Sequence, residues 1–216
     1  MQEKTRLRIR FTKQGDLRWI SHRDLARVWE RLLRRANLKM AFSEGFHPKP
    51  RISFPSALAL GVEALEEIVE LEILGSFELS EIETNIRAQL PEGMELISLD
   101  SPAYTLGKAK VAGTTYRIKI PSESIEGTEA RITAVKEQPV IRVEREKRSV
   151  EVNTDDPSFG LELEGDILTF SIPNDPSGAL RPSEMLETVG LGELLESGEV
   201  LQRVQVHMRE PEIKQS

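Results

Sequence analysis

The first residues of the chain alternate between apolar and basic side chains. In "RLRIRF", Leu7, Ile9 and Phe11 fall on one face and three arginines fall on the other. A period of two is typical of a strand with one buried face. Residues 6–11 are therefore predicted to form a half-buried strand.

From Ser21 the spacing of apolar residues changes to that of a helix. The predicted apolar stripe consists of Leu25, Val28, Trp29, Leu32, Leu33 and Ala36. Ser21 followed by Asp24 resembles a capping box, and Asn37 is a plausible helix stop. An amphipathic helix over residues 22–36 follows from this pattern.

The remaining elements of the first half are shorter. We predict a strand near Lys39–Phe42, an extended strand over Glu66–Leu74, a helix capped by Ser80, and a closing strand in "GMELISLD". The element order is therefore β-α-β-β-α-β.

A similar order recurs after the linker-like "SPAYTLGKAKVAGT". The pattern predicts a strand in "TTYRIKI", a helix over Glu126–Lys136, two hairpins, a short helix near Pro182 and a final strand in "VLQRVQVHMRE". The fold class is predicted as α+β, with two tandem ferredoxin-like (βαββαβ) domains with antiparallel sheets, residues 1–104 and 114–210. The second domain carries extra strand material, and the predicted core comprises Leu7, Ile9, Phe11, Leu25, Val28, Leu32, Val69, Leu71, Ile118, Ile120, Val204 and Val206.

The segment "SEGFHPKPRISF", Ser43–Phe54, fits neither a helix nor an ordinary strand. Pro48 and Pro50 each remove a backbone donor and keep the preceding residue out of the helical region. Gly45 can adopt backbone angles closed to other residues. The sequence predicts a stiff, basic loop here.

The formal charge of −7 is unevenly distributed. Residues 1–51 carry 14 Lys/Arg and 5 Asp/Glu, a local charge of +9, and the remainder carries 15 and 31, a local charge of −16. Such segregation favours a basic face for a polyanion, or electrostatic attraction between the two parts or to a partner protein.

In a βαββαβ domain, the loops after strands one and two leave the sheet at the same end, where the first helix begins. Free N–H groups at that helix terminus favour an anion. The predicted nucleic-acid-binding residues are Lys13, Arg18, Ser21, His22, Arg23, His47, Lys49 and Arg51. The alternative is that the proline-rich loop only pins the end of the domain.

The outward-facing side chains of the strands form two further surfaces. Arg6, Arg8 and Arg10 are expected to pair with Glu70 and Glu72 across neighbouring strands. In the second domain, a basic open sheet face without stacking aromatics is predicted from Arg117, Lys119, Arg203, Gln205, His207 and Arg209.

The chain lacks the residues that several classes of function require. The chain has no cysteine, which excludes thiolate catalysis and cysteine-held clusters within it. The phosphate-binding, dinucleotide-binding and metalloprotease motifs are absent. We therefore predict no metal site and no cofactor in this chain. The longest apolar run, "ALALGV", is far shorter than a membrane span, so a cytoplasmic protein with no membrane partner is expected.

Residues 5–75 resemble a known family. "GDLRWISHRDLARVWERLLRRANL" and "SEGFHPKPRISFPSALALGVEALEE" are similar to the radical SAM-linked domain family of unknown function, and "GALRPSEML" is also similar to it. The resemblance implies a cobalamin-binding radical SAM protein as partner, for which this chain would be an accessory or substrate-binding subunit. The motif positions are Ser21, His22, Asp24, Gly45, Phe46, Pro48 and Pro50.

Three functions remain open from the sequence. The leading hypothesis is a non-enzymatic RNA-binding accessory protein that presents structured RNA to a radical SAM modification partner. The first alternative is a metal-independent endoribonuclease in which His22 and His47 share acid–base roles. The second is a protein-interaction module that binds no nucleic acid.

Overall fold

A computed structural model describes residues 3–103, 110–175 and 178–209. The chain divides into two compact units, Met1–Lys110 with Arg209–Ser216, and Val111–Met208. The predicted boundary extends from Tyr104 to Thr114, and its residues 104–109 lie outside the described residues. Arg209, predicted in the second domain, belongs to unit 1, where its N–H donates to the Lys110 carbonyl over 2.8 Å. Helices and antiparallel strand pairs occur in both units, which confirms the predicted α+β class.

Unit 1 is an antiparallel sheet with two helices. Its elements are β1 (Lys4–Lys13), α1 (His22–Arg35), β2 (Ile52–Ser53), β3 (Glu63–Leu74), α2 (Leu79–Arg87) and β4 (Leu96–Asp100), with a 3-10 turn at Gly15–Trp19. Strand β1 pairs with β4 on one side and with β3 on the other, and β3 also pairs with β2. The order across this sheet is therefore β4-β1-β3-β2.

The core of unit 1 lies between the apolar face of β1 and α1. Leu7, Ile9 and Phe11 are buried as predicted, and the Trp29 ring meets Phe11 edge-on with 5.0 Å between the ring centroids. Val28, predicted to be buried, is only half-buried at the flank of the helix. Trp29 lies at the centre of the stripe instead.

Helix α1 has the predicted ends, but α2 does not begin where expected. The Ser21 hydroxyl accepts a hydrogen bond from the Asp24 N–H over 3.1 Å. Asn37 has a φ of +58°, the left-handed conformation common after a helix. In α2, Glu78 is the N-cap and Ser80 lies inside the helix, so the prediction that Ser80 caps it was wrong.

The conformation of Asn37 gives a testable expectation. Asn37→Ala should lower the free energy of unfolding by about 1 kcal/mol, because alanine lacks the short polar side chain that lets asparagine tolerate a positive φ. Asn37→Gly should leave the free energy of unfolding unchanged or raise it slightly. Urea denaturation of both variants measures the difference. Equal stability of the two would contradict a strained position.

Unit 2 contains a series of paired antiparallel strands and, apart from it, a β-hairpin. Its elements are β5 (Val111–Lys119), α3 (Ile125–Lys136), β6 (Val140–Arg145), β7 (Arg148–Asn153), β8 (Gly160–Glu164), β9 (Ile167–Pro173), α4 (Pro182–Thr188) and β10 (Gln202–Met208). The sheet order is β10-β5-β9-β8, and β6 pairs only with β7 among the described strands. Ile118, Ile120 and Val206 are buried as predicted, while Val204 is half-buried. Within the described residues, no helix has both the length and the apolar content to cross a bilayer.

Candidate nucleic-acid interface

The proline-rich segment forms a hairpin that interrupts a strand. Before it, the Ala41 N–H donates to the Glu72 carbonyl of β3 over 2.8 Å. After it, the Glu72 N–H donates to the Arg51 carbonyl over 3.0 Å, and β2 continues along β3. Residues Phe42–Arg51, here the inserted hairpin, therefore leave the sheet and return to it beside the same residue of β3.

Local hydrogen bonds close the neck of the inserted hairpin. The Ser43 N–H donates to the Lys49 carbonyl over 2.8 Å, and the Lys49 N–H donates to the Ser43 hydroxyl over 2.9 Å. Gly45 has a φ of +120°, which allows the sharp turn at the tip. The adjacent Phe46 side chain is fully exposed, with a relative accessibility of 101%.

The inserted hairpin borders a basic groove of about 280 Å³. The groove is lined by residues of the hairpin, β2 and the arginine-bearing face of β1 and β3: Arg6, Ser43, Lys49, Pro50, Arg51, Ile52, Ser53, Glu70, Leu71 and Glu72. The Lys49 side chain is exposed and makes no ion pair within the described part of the chain.

The cations beside the groove differ in how far they are neutralised. Glu70 lies 3.3 Å from Arg6 and 2.6 Å from Arg8, as predicted. Arg10 pairs with Glu66 rather than with the predicted Glu70 or Glu72. Glu72 faces Arg51 instead, with 3.7 Å between Nε and Oε2. Both Arg51 and Lys49 are exposed, so they are the cations here best placed to meet an external anion.

The loop between β1 and α1 is held together by two of its predicted site residues. Lys13 is only 2% exposed, and its ammonium lies 3.5 Å from the Arg18 carbonyl and 3.4 Å from the Ile20 carbonyl. Burial places Lys13 in the interior, so we correct its assignment from an RNA contact to a support of the loop. The Arg18 guanidinium lies 5.1 Å above the Trp19 ring and 3.9 Å from Glu63.

The N-terminus of α1 carries the remaining predicted residues of this loop. The Ser21 hydroxyl donates to the Asp24 carboxylate over 2.7 Å, and this hydrogen bond, with the nearby Arg27, holds the pKa of Asp24 below its ordinary value despite some desolvation. The His22 ring packs edge-on against Phe54 at 4.6 Å, and Arg23 is exposed. Because Asp24 already places a negative charge at the N-terminus of α1, this helix end attracts a further anion less strongly.

The strand register separates the two loops that were expected to converge. Arg6 lies opposite Glu72, beside the base of the inserted hairpin, whereas Lys13 lies opposite Ala64. Seven positions along β1 correspond to about 23 Å. The prediction of convergence at one end of the sheet was wrong because the hairpin interrupts strand two. The segment that follows β2 meets the first loop, where the Gly61 N–H donates to the Arg18 carbonyl over 3.0 Å.

The two histidines of the ribonuclease alternative belong to these separate regions. His22 packs on Phe54, and His47 is exposed in the inserted hairpin. Within the described residues, no hydrogen bond or ring contact joins them. In the same part of the chain, no group of three or more His, Asp or Glu side chains is placed to hold a metal ion.

The predicted basic sheet face of unit 2 is less basic than expected. Arg203 is 0% exposed, so its assignment to that face was wrong. Thr115 instead links two neighbouring strands, with its hydroxyl 2.8 Å from His207 Nε2 and 2.7 Å from the Ser171 hydroxyl. Lys119 lies 3.2 Å from Asp166.

An ion pair that the sequence analysis missed anchors the β6–β7 hairpin of unit 2 to α4. Arg145 donates two hydrogen bonds of 2.7 Å to Glu184 and a third of 3.0 Å to the Ala179 carbonyl. The Arg181 N–H also donates to Glu184 over 2.6 Å. Burial raises the pKa of Glu184, but the hydrogen bonds from Arg145 and Arg181 outweigh it and lower the pKa below its ordinary value. The "GALRPSEML" motif thus supplies Glu184 as the partner of Arg145 in a structural ion pair.

Comparison with protein families identifies residues 6–182 with the family described as "Uncharacterized protein conserved in bacteria (DUF2344)". The chain belongs to this family. The DUF2344 match covers the inserted hairpin, the basic groove and Arg145, and it ends two residues before Glu184. No curated protein matches the chain.

Two solved structures align with most of this DUF2344 protein at low similarity. One is described as "an Unknown Protein from Galdieria sulphuraria", with 9% identity, 96% of this chain and 100% of that chain covered, and a TM-score of 0.29. The other is described as a "putative glycine cleavage system transcriptional repressor", with 10% identity, 96% and 98% covered, and a TM-score of 0.26. Neither likeness supports a functional assignment.

Proposed function

We propose that this protein is a non-enzymatic RNA-binding accessory protein that presents structured RNA to a radical SAM modification partner. The observation that carries the proposal is the inserted hairpin, which holds the exposed cations Lys49 and Arg51 at the edge of a groove. A stiff neck lowers the entropic cost of ordering these side chains on a ligand. Phosphates are the expected ligands, because lysine and arginine form charge-assisted hydrogen bonds with them.

The RNA contacts now proposed are fewer than the sequence suggested. Lys49, Arg51 and His47 on the inserted hairpin are retained as the primary set. Arg18, Ser21, His22 and Arg23 form a separate secondary set at the start of α1, and Lys13 is left out because it is buried. No residue is proposed to act as a catalyst, and we propose no cofactor for this chain.

The fold proposed for both units is ferredoxin-like. In unit 1 the βαββαβ order combines with the sheet order β4-β1-β3-β2. In unit 2 the same arrangement arises from β5, α3, β8, β9, α4 and β10 when the β6–β7 hairpin is treated as an insertion. Such folds serve many functions, so this supports no activity by itself.

Removing the two groove cations tests the proposal. Lys49→Ala with Arg51→Ala should weaken binding of fluorescently labelled transfer RNA by about 1–3 kcal/mol. The slope of log affinity against log salt should become shallower by about 1.4–1.8, because two phosphate contacts are lost. Fluorescence anisotropy over a salt series measures both quantities.

A charge-matched control distinguishes the effect of losing the groove cations from the effect of lowering the net charge. Lys136→Ala with Lys147→Ala removes two exposed cations of unit 2 and should leave the affinity nearly unchanged. Circular dichroism checks that each double variant remains folded, since exposed charges contribute only about 0–1 kcal/mol to stability. Equal losses in both double variants, or no transfer RNA binding by the wild type, would overturn the proposal.

The accessory role requires a second experiment. A cobalamin-binding radical SAM protein is the partner implied by the sequence resemblance. Affinity purification of the tagged chain from a native bacterial host should recover such a protein in a complex that survives ribonuclease treatment. Recovery of RNA without any radical SAM protein would refute the accessory role and leave the RNA-binding role standing.

A further inference from the structure

We infer that the inserted hairpin binds an unpaired stretch of RNA, with one base stacked on Phe46. This inference rests on the proposed RNA-binding function and names the class of RNA. Its starting observation is the Phe46 ring, which is fully exposed at the tip of the inserted hairpin. A single exposed aromatic ring is ordinary by itself, but a ring beside exposed cations matches the stacking platforms of proteins that bind single-stranded nucleic acid.

The backbone on both sides of Phe46 is restrained by contacts within the hairpin itself. The two hydrogen bonds between Ser43 and Lys49 close the neck on either side of it. Pro48 restricts the chain on the C-terminal side, and Gly45 adopts the positive φ that the turn on the N-terminal side requires. A ring presented in this way loses little conformational freedom when a base stacks on it.

The cations follow the ring on the same short segment. Lys49 and Arg51 are two residues apart, so in extended chain their α-carbons are about 6.5–7 Å apart. A platform for a base next to cations that track the backbone is the arrangement by which proteins bind single-stranded nucleic acid.

A duplex fits this element less well. Paired bases are stacked within the helix, so their faces are closed to a side chain, whereas bases in loops, bulges and ends can stack on aromatic rings.

A protein ligand is also less favoured by the surroundings of Phe46. The neighbouring Glu44 and His47 are polar and exposed, so the ring is not part of a continuous apolar patch at the tip. The adjacent cations would gain nothing in an apolar pocket, but they match the phosphates that flank an unpaired base.

Two RNA probes and three variants of Phe46 test the inference in the full-length chain. The probes are oligouridylate carrying one 2-aminopurine, and a blunt RNA duplex of equal length. The variants are Phe46→Ala, Phe46→Leu, which keeps an apolar side chain without a ring, and Phe46→Tyr, which keeps the ring. Anisotropy measures affinity, and 2-aminopurine fluorescence reports stacking.

We expect the wild type to bind the oligouridylate more tightly than the duplex and to quench 2-aminopurine. Phe46→Ala and Phe46→Leu should each weaken binding of oligouridylate about 5- to 150-fold and abolish quenching. Phe46→Tyr should retain both. Val140→Ala, at an exposed apolar residue of unit 2 outside the hairpin, is the control and should bind normally.

The outcomes separate this inference from the function on which it rests. If transfer RNA and the duplex bind normally but Phe46→Ala changes nothing, unpaired RNA is not the ligand at the tip and only the inference is overturned. If no RNA binds to the wild type, both fail. If Phe46→Leu binds RNA as well as the wild type, base stacking on the ring is excluded. A partner protein with an apolar pocket for the Phe46 side chain then becomes the better ligand.

Discussion

Replacing Trp29 with alanine is expected to lower the free energy of unfolding by about 3–5 kcal/mol. The Trp29 side chain is 0% exposed and its ring packs edge-on against Phe11. Removing it leaves a cavity between α1 and β1 that the flanking helix and strand cannot fill without moving. Urea denaturation followed by circular dichroism measures the loss.

The other tryptophan supplies the control for Trp29. Trp19 belongs to the same unit but is 61% exposed, so Trp19→Ala should cost less than about 1 kcal/mol. Trp29→Phe should also cost much less than Trp29→Ala, because it keeps an aromatic ring against Phe11. It also removes an indole N–H for which the described residues provide no hydrogen-bond partner. Similar losses for Trp29→Ala and Trp19→Ala would show that burial does not determine the stability of this unit.

Glu184→Gln is expected to lower the free energy of unfolding by about 3 kcal/mol at neutral pH. The substitution leaves Arg145 without its carboxylate partner, although the guanidinium side chain is only 18% exposed. Glu187→Gln, on the exposed face of the same helix, is the matched control and should change stability by less than about 0.5 kcal/mol. Urea denaturation at constant ionic strength compares the two.

The same ion pair predicts a pH dependence of stability. The pKa of Glu184 in the folded state lies below its ordinary value of 4.5, so folding favours the ionised carboxylate. Its contribution to stability is therefore complete above about pH 4.5 and is lost as the pH falls through the folded pKa. The stability difference between the wild type and Glu184→Gln should shrink in that range. A difference that stays constant down to acid pH would exclude this carboxylate as its source.

Local patterns were sufficient to predict most elements of unit 1, but not every buried position and not β2, which is Ile52–Ser53 rather than the predicted Lys39–Phe42. Alternation in β1 and the stripe of α1 gave the correct faces, and Ser21 and Asn37 gave the correct helix ends. The predicted cap at Ser80 and the predicted burial of Val28 were wrong. Both depend on how the helix packs against the sheet. Such packing arises between residues far apart in the sequence.

The sequence was enough to predict a basic, stiff loop at the candidate site, but not the position of that loop in the sheet. Pro48 and Pro50 indicated a stiff loop, but its place within a strand depends on hydrogen bonds between Glu72 and the distant Ala41 and Arg51. A signal for the burial of Lys13 was present, since it continues the every-second-residue series of Leu7, Ile9 and Phe11.

The Arg145–Glu184 pair had no comparable local signal. Its two residues lie on different elements, β6 and α4, and neither position shows a periodicity that would link them. Charged residues are usually solvated, so only the folded chain reveals that these two are paired and largely buried.

Because the inserted hairpin leaves and re-enters one strand, its length is independent of the framework that carries it. The flanks are fixed against β3 by the Met40–Ile73 and Ile52–Leu71 pairs. Residues added or exchanged between Ser43 and Lys49 would therefore project outward without shifting either flank by a register step. Changes there should alter what the hairpin presents to solvent at little cost to folding, and the same position is a permissive site for grafting a foreign peptide.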